Sequence, residues 1–467
     1  MQIKFIGAAR EVTGSKHLII TDDGKKILLD CGMFQGKGME TDTMNRDLGF
    51  EPEEIHHIIL SHAHIDHSGL IPYMYKKGFR GSVICTSATR DLCSIMLPDS
   101  GHIQELDVKW FNKKLDRHGL PRVSPIYNVD DAEQAMELFI SVAYNRRFYI
   151  SENINVKFTN SGHMLGSAVV NLEINENGVK KKIAFTGDIG RAHNKLLLPP
   201  AHFPQCDYLI TESTYGNRLH EPDTEMEERL LQIVKETCVN RGGKLIIPSF
   251  SVGRTQEVVF LLNNFYNSGK LPKIEVFVDS PLSVNATDVF RLHTDNMNDS
   301  VKYVLKYDDD PFGFSSLKYI KNVEESKALN SYDKPCIIIS SSGMAEAGRI
   351  KHHIANNISN PANTILIIGY CSPTSLGARI QEHGLREISI FGEMHEVRAK
   401  IEKIEGFSGH GDYSEMIDFL NCQDQEEIKK IFLVHGEYEV QKIYREKLEI
   451  EGYRNIEIPA KGDVFEV

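Results

Sequence analysis

The first stretch of the chain alternates short apolar runs with turn residues. Gln2 to Gly7 has the pattern of a strand, and His17–Thr21 and Lys25–Asp30 flank the turn Asp22-Asp23-Gly24, which predicts a hairpin. His57–Leu60, Val83–Thr86 and Val156–Thr159 predict further strands. Val169–Ile174 and Lys182–Thr186 flank Asn175-Glu176-Asn177-Gly178 as another hairpin. The long polar stretch from about 99 to 150 reads as mostly helical, with the turn Gly119-Leu120-Pro121 inside it.

After about residue 212 the pattern changes. KLIIPS (244–249), IEVFVDS (274–280), CIIIS (336–340) and TILIIGY (364–370) are apolar throughout and separated by helical stretches. Such runs predict a parallel sheet covered on both faces, that is, a Rossmann-like α/β layer. From about 396 strand character returns in VRAKIEKI, then a helix near 414–421 and the strand KIFLVHG (430–436). The predicted organisation is one domain over 1–211, an inserted domain over 212–395, and a segment 396–467 that completes the first.

Composition narrows the class. The chain has 467 residues, 41% hydrophobic and 25% charged, an ordinary globular mixture able to bury a core. No run is long and apolar enough to span a bilayer, and Arg10 and Glu11 interrupt the apolar N-terminus, so it reads as a first strand rather than a signal peptide. The eight cysteines include no C-x-x-C pair and mostly sit in apolar runs; they read as reduced thiols of a cytoplasmic protein. A formal charge of −12 argues against sequence-blind coating of nucleic acid by the whole surface, but not against a local cationic groove.

The strongest chemical signal is S-H-A-H-I-D-H-S-G at 61–69, directly after an apolar strand. Three imidazoles and a carboxylate within six residues suit a borderline ion such as zinc. One tetrahedral ion cannot take all four without strain, so His62 and His64 are expected at one ion and Asp66 and His67 at a neighbour. Strand ends elsewhere offer more ligands: His163 after VKFTN, Asp188 in TGDIGR, and His435 in LVHGE. Singly each fits an ordinary turn or cap as well; together they supply what a two-metal site lacks, notably a carboxylate able to bridge.

At these residues the sequence resembles the metallo-β-lactamase superfamily and, more narrowly, the β-CASP RNA-processing nucleases. That resemblance covers essentially the whole chain. Asp30 in LLDCGMFQG matches the first motif, His62 to His67 the second, His163 the third and Asp188 the fourth. Glu212 in ITESTYG, His410 in FSGHGDY and His435 in LVHGE resemble motifs A, B and C, and IPSFSVGRTQE (247–257), DSPL (279–282), 340–350 and 369–380 resemble the inserted domain. The implied fold is an αββα sandwich carrying an inserted β-CASP α/β domain.

The resemblance also implies roles. His62, His64 and His163 hold one zinc, Asp66, His67 and His435 a second, and Asp188 bridges them. Asp30 orients a ligand from behind. His410 is the general acid, with Glu212 setting its tautomer. A histidine in motif C implies RNA rather than DNA, and an end soon after that motif, at Val467, implies the compact bacterial type and endonucleolytic cleavage.

Two turns read as phosphate cradles. One is Ser249 and Phe250 with Arg254, where Phe250 is placed to stack a base; the other is Ser341, Ser342 and Gly343 with Arg349. Ordinary helix caps explain these residues equally well. The leading expectation is therefore a ribonuclease with two zinc ions per chain, acting on single-stranded RNA in a cleft between the domains. Competing readings are a 5′-3′ exoribonuclease, a small-molecule thioesterase or lactonase, a scaffold without activity, and a DNA nuclease. Manganese in place of zinc and assembly as a homodimer are left open by the sequence.

Overall fold

The computed structural model describes residues 1–36, 39–220, 225–369, 371–372, 374–382, 384–404 and 406–467. Of the stretches singled out above, Tyr370 and Pro373 in 369–380 lie outside the described residues. The chain divides into two compact units, Met1–Leu219 with His410–Val467, and His220–Gly409.

The first unit holds two seven-stranded sheets. The first sheet runs in the order Val464–Glu466, Gln2–Gly7, Lys16–Ile20, Lys26–Leu29, His57–Ile59, Ser82–Cys85 and Phe139–Ser141. Its hairpin half is antiparallel, and from Lys26–Leu29 onward the pairing is parallel. The second runs Ile456–Glu457, Lys430–Leu433, Tyr208–Thr211, Val179–Phe185, Ala168–Glu176, Ile154–Asn160 and Arg147–Ser151. Alternation sets which side chains face inward: in Ala168–Glu176, Val170, Leu172 and Ile174 are buried while Asn171 and Glu173 are not.

One apolar layer joins the two sheets. Ile3, Phe5, Ile27, Leu29 and Ile59 of the first meet Val156, Phe158, Val170, Phe185 and Phe432 of the second. Leu209, Ile431 and Leu433 point to the other side of the second sheet, where the helices Tyr413–Leu420 and Tyr438–Ile450 cover them with Met416, Leu420, Tyr444 and Leu448. Helices Ile71–Lys76, Ser87–Arg117 and Val129–Ala135 connect the parallel strands of the first sheet. This is the αββα sandwich.

The helical stretch expected over 99–150 differs in detail. The helix starts at Ser87, where Thr86 caps it by accepting from the Thr89 N–H at 3.2 Å, and it ends at Arg117. Residues 139–141 and 147–151 are strands instead. Both lie at sheet edges, and the exposed Ile140 and Tyr149 put apolar residues on the outward face, which masks the strand period.

The second unit is built on a six-stranded, all-parallel sheet in the order Leu317–Tyr319, Glu275–Val278, Cys336–Ser340, Lys244–Pro248, Thr364–Ile367 and Lys400–Lys403. Apart from the half-buried Lys244, its central strands are buried along their length, as their apolar runs require. The return expected at 396 comes later. Lys400–Lys403 pairs in parallel with Thr364–Ile367, so this unit keeps the chain to Gly409.

Candidate metal centre

Seven ligand-type side chains come together in the first unit, each delivered just beyond a strand. His57–Ile59 leads out to His62 and His64, and the single helical turn Ile65–Ser68 carries Asp66 and His67. His163 follows Ile154–Asn160, Asp188 follows Val179–Phe185, and His435 follows Lys430–Leu433. Two glycines let these loops close. A Cβ on Gly32 would stand 1.6 Å from the Asp66 carbonyl oxygen, and one on Gly190 would stand 2.0 Å from the Gly162 carbonyl. Isolated bridges pair Gly162 with Ile189 and Gly190 with His410, which ties three of the loops together.

The ligand atoms form two groups. Those of His62, His64, His163 and Asp188 lie within 4.8 Å of one another, and so do those of Asp66, His67 and His435. His64 Nδ1 is 3.2 Å from His62 Nε2 and 3.1 Å from His163 Nε2. His67 Nε2 and His435 Nε2 face each other at 3.0 Å. Tetrahedral ligation at a zinc–nitrogen distance of 2.0–2.1 Å separates donor atoms by about 3.3 Å, close to these spacings. Asp188 divides its carboxylate between the groups. Its Oδ2 lies 3.5 Å from His62 Nε2 and 3.4 Å from His163 Nε2, while Oδ1 lies 3.3 Å from His67 Nε2 and 3.6 Å from His435 Nε2.

Burial makes this arrangement fit a cation. Asp188 Oδ1 is buried and accepts no hydrogen bond, a costly state for a carboxylate oxygen. Burial pushes His62 well below its ordinary pKa and His64 down to about 4, so both offer neutral lone pairs. Burial would lower His67 too, but the carboxylates of Asp188 and Asp30 outweigh it and raise the group. Burial acts to raise Asp188, and the surrounding imidazoles, His435 and His67 foremost, hold it well below the usual carboxylate range. A buried cluster of convergent imidazoles and carboxylates is a metal-binding arrangement.

Other groups aim the rings. Asp30 Oδ2 accepts from His67 Nδ1 at 2.6 Å, and Asp30 is itself held by the Ser61 N–H at 2.8 Å and the Ser61 hydroxyl at 2.9 Å. The Ser61 hydroxyl also lies 3.0 Å from His62 Nδ1. Thr214 Oγ1 lies 3.0 Å from His435 Nδ1 and donates to the His435 carbonyl at 3.0 Å. Fixing Nδ1 from behind turns Nε2 inward. The supporting roles of Ser61 and Thr214 were missed by sequence reasoning. Ser61 immediately precedes the histidine motif, a signal of proximity only, and nothing in the sequence links Thr214 to His435.

His410 and Glu212 form a pair beside the cage. His410 Nδ1 is 3.1 Å from both Glu212 oxygens, and its ring centroid is 4.5 Å from that of His163. The fully buried Glu212 also accepts from the Ile189 N–H. Burial works against charge on His410, yet Glu212 and Asp188 raise it to about 9.

The residues expected to cradle phosphate lie in the second unit, and their surroundings vary. Phe250 is exposed, with its ring over Gly343, where a Cβ would stand 2.7 Å from it. Ser249 is buried and its hydroxyl bonds Thr255 at 3.1 Å. Arg254 pairs with Glu257, and Ser341 bonds Ser280 at 2.9 Å. Arg349 is committed to structure: it donates to Asp279 at 2.6 Å and to the Lys321 carbonyl at 2.7 Å. Asp279 also takes a bond from His353, a histidine with no role readable in the sequence. The turn at Ser341–Gly343 does not open directly into a helix, because the following helix begins only at Arg349.

Three family models match parts of the chain. Residues 14–91 match the metallo-beta-lactamase superfamily, residues 255–380 the Beta-Casp domain, and residues 394–459 the Zn-dependent metallo-hydrolase RNA specificity domain. The chain is 32% identical to a ribonuclease of Thermus thermophilus over 439 residues, 94% of each chain. It is 34% identical to an RNase J-like protein of Methanocaldococcus jannaschii, across 93% of this chain and 92% of that one. It is 29% identical to the transcription termination factor FttA of Methanosarcina mazei, across 94% of this chain and 67% of that protein.

Proposed function

The chain belongs to the β-CASP family of the metallo-β-lactamase superfamily, and on that premise we propose that it is a two-zinc ribonuclease cutting single-stranded RNA internally. The observation that carries this reading is the division of Asp188, one oxygen toward His62 and His163, the other toward His67 and His435. In this reading His62, His64 and His163 hold one ion, Asp66, His67 and His435 the other, and Asp188 spans both. Zinc bound by these residues would supply Lewis acidity toward a phosphodiester and toward water near neutral pH.

The rest of the chemistry belongs to side chains. Asp30, Ser61 and Thr214 keep the imidazoles aimed inward. Glu212 engages His410 through Nδ1, so the proton delivered to the leaving ribose 3′-oxygen is carried on Nε2. Phe250, lying exposed against Gly343, is the residue of the second unit best disposed to stack a base, with Ser249 and Arg254 near it in sequence and Ser341 and Ser342 preceding the glycine it covers. The Arg349 guanidinium is already engaged by Asp279 and supports this wall rather than binding phosphate.

The test is to incubate zinc-loaded and manganese-loaded protein with end-labelled single-stranded RNA, matched DNA and a thioester. Internal RNA fragments are expected. Mononucleotides released from one end would instead identify an exonuclease, and thioester turnover alone would overturn the nuclease reading. His410→Ala should keep both metals by elemental analysis and lose about 10²- to 10⁴-fold in turnover, the span typical of a general acid. Near wild-type cleavage by that variant would refute the acid assignment.

A further inference from the structure

We propose that residues 102–125 form a basic arm that holds single-stranded RNA away from the metal centre. The helix Ser87–Arg117 starts beside the site, where Thr86 and Thr89 both donate to the Gly166 carbonyl, three residues from His163. It is packed against the body up to Gly101, where a Cβ would stand 2.9 Å from the Asn128 backbone. The segment between leaves the body and rejoins it at Ser124, whose carbonyl accepts from Arg46 at 2.6 Å. Residues 102–117 continue the helix for about 24 Å of rise, and 118–125 return along it.

The return is fixed rather than loose. The Asn112 side chain exchanges two bonds with the Val123 backbone, both 2.9 Å. Arg122 pairs with Asp116 through two bonds of 2.9 Å. On the opposite side of this helix Ile103, Leu106, Trp110 and Phe111 are all exposed, Trp110 at 60%.

Charge separates the arm from the rest of the protein. Lys109, Lys113, Lys114, Arg117 and Arg122 set five cations against the three carboxylates of Glu105, Asp107 and Asp116, a balance of +2 in a chain of −12. Steps of 100° per residue place Leu106, Lys109, Trp110, Lys113 and Arg117 on one face. Lys109, Lys113 and Arg117 make no ion pair with any described residue. Lys114 Nζ sits 3.8 Å over the ring of the exposed Trp110. A row of unpaired cations beside an exposed indole is the combination that binds a single strand, phosphates to the cations and a base to the ring.

Other occupants fit less well. In a symmetric dimer through this face the cations of two copies would oppose each other. On a lipid surface Asp107, which lies between Ile103 and Phe111 on the helix, would be carried into the apolar layer. The proposal rests on the ribonuclease reading for its ligand, but binding is read without cleavage, so the two fail separately.

Trp110 is the sole tryptophan of the chain, so intrinsic fluorescence reports the arm alone. Titration with a non-cleavable 2′-O-methyl RNA of about 30 nucleotides, longer than one binding patch, should quench it. Lys109→Ala, Lys113→Ala and Arg117→Ala together keep helix propensity, and should lower the log–log salt slope of binding by about 2, at roughly 0.7 per phosphate contact. In cleavage assays the same triple variant should raise KM for the long RNA while leaving kcat, and leaving KM for an RNA of about 6 nucleotides that cannot reach both sites. Absence of quenching by RNA, an unchanged salt slope, or a blue shift obtained only with anionic phospholipid vesicles would each overturn the proposal.

Discussion

His435 occupies left-handed backbone at a φ of 52°, as does Asp30 at 58°, conformations that cost a non-glycine residue roughly 1–2 kcal/mol. Both sit immediately beyond buried strands, and both have side chains pinned by neighbours. For His435 the pin is Thr214, bonded to the ring at Nδ1 and to the carbonyl of the same residue. Thr214→Val keeps the shape and removes both bonds. It is expected to weaken one of the two metal equivalents by about 10- to 100-fold, as loss of a ligand's supporting bond commonly does. Competition with a zinc chelator reads this directly, and unaltered affinity at both sites would show that the hydroxyl is dispensable. The sequence made the ligands legible because histidine and aspartate stand in a spaced motif. It left Thr214 and Ser61 illegible because a hydroxyl carries no such signature, and because Thr214 meets His435 only through the pairing of the strands Tyr208–Thr211 and Lys430–Leu433.

Those strands show how elements carry the site. Each is only four residues long and buried over its last three, so it has little freedom in register and fixes where its C-terminal loop begins. Strand period made these segments readable from sequence. Edge segments were not, since Phe139–Ser141 and Arg147–Ser151 carry Ile140 and Tyr149 at exposed positions, and an apolar side chain on the outward face hides the alternation that marks a strand. The late return of the chain at His410 was equally hidden: KIEK alternates apolar and polar in a way that fits either unit, and only its parallel partner Thr364–Ile367 decides. Loop closure depends on Gly190 more than on any ligand. Gly190→Ala forces a Cβ into the Gly162 backbone and should push the His163 loop from the Asp188 loop. The expected result is loss of metal with all seven ligands intact and with unchanged far-ultraviolet circular dichroism. Full metal content in that variant would mean that the loops can part without cost to the cage.

At the scale of the whole molecule, all the ligands belong to one of two units, and each unit has its own apolar core. Metal should therefore stabilise the units unequally. A ligand that binds only the folded state adds about 2.7 kcal/mol when its free concentration is 100 times its Kd. In a unit of this size that corresponds to roughly 5 °C in Tm. The second unit contributes none of the seven side chains, and its parallel sheet is filled by Ile246, Ile338, Ile354 and Ile365 whether or not an ion is bound. Calorimetry with and without a chelator should then resolve a transition that falls by that margin on metal removal and another that stays in place. Asp188→Asn, which spoils the shared carboxylate, should reproduce the chelated trace in the presence of zinc. Two transitions falling together would mean that the units unfold as one cooperative body, and no shift in either would mean that the cage holds no metal worth measuring.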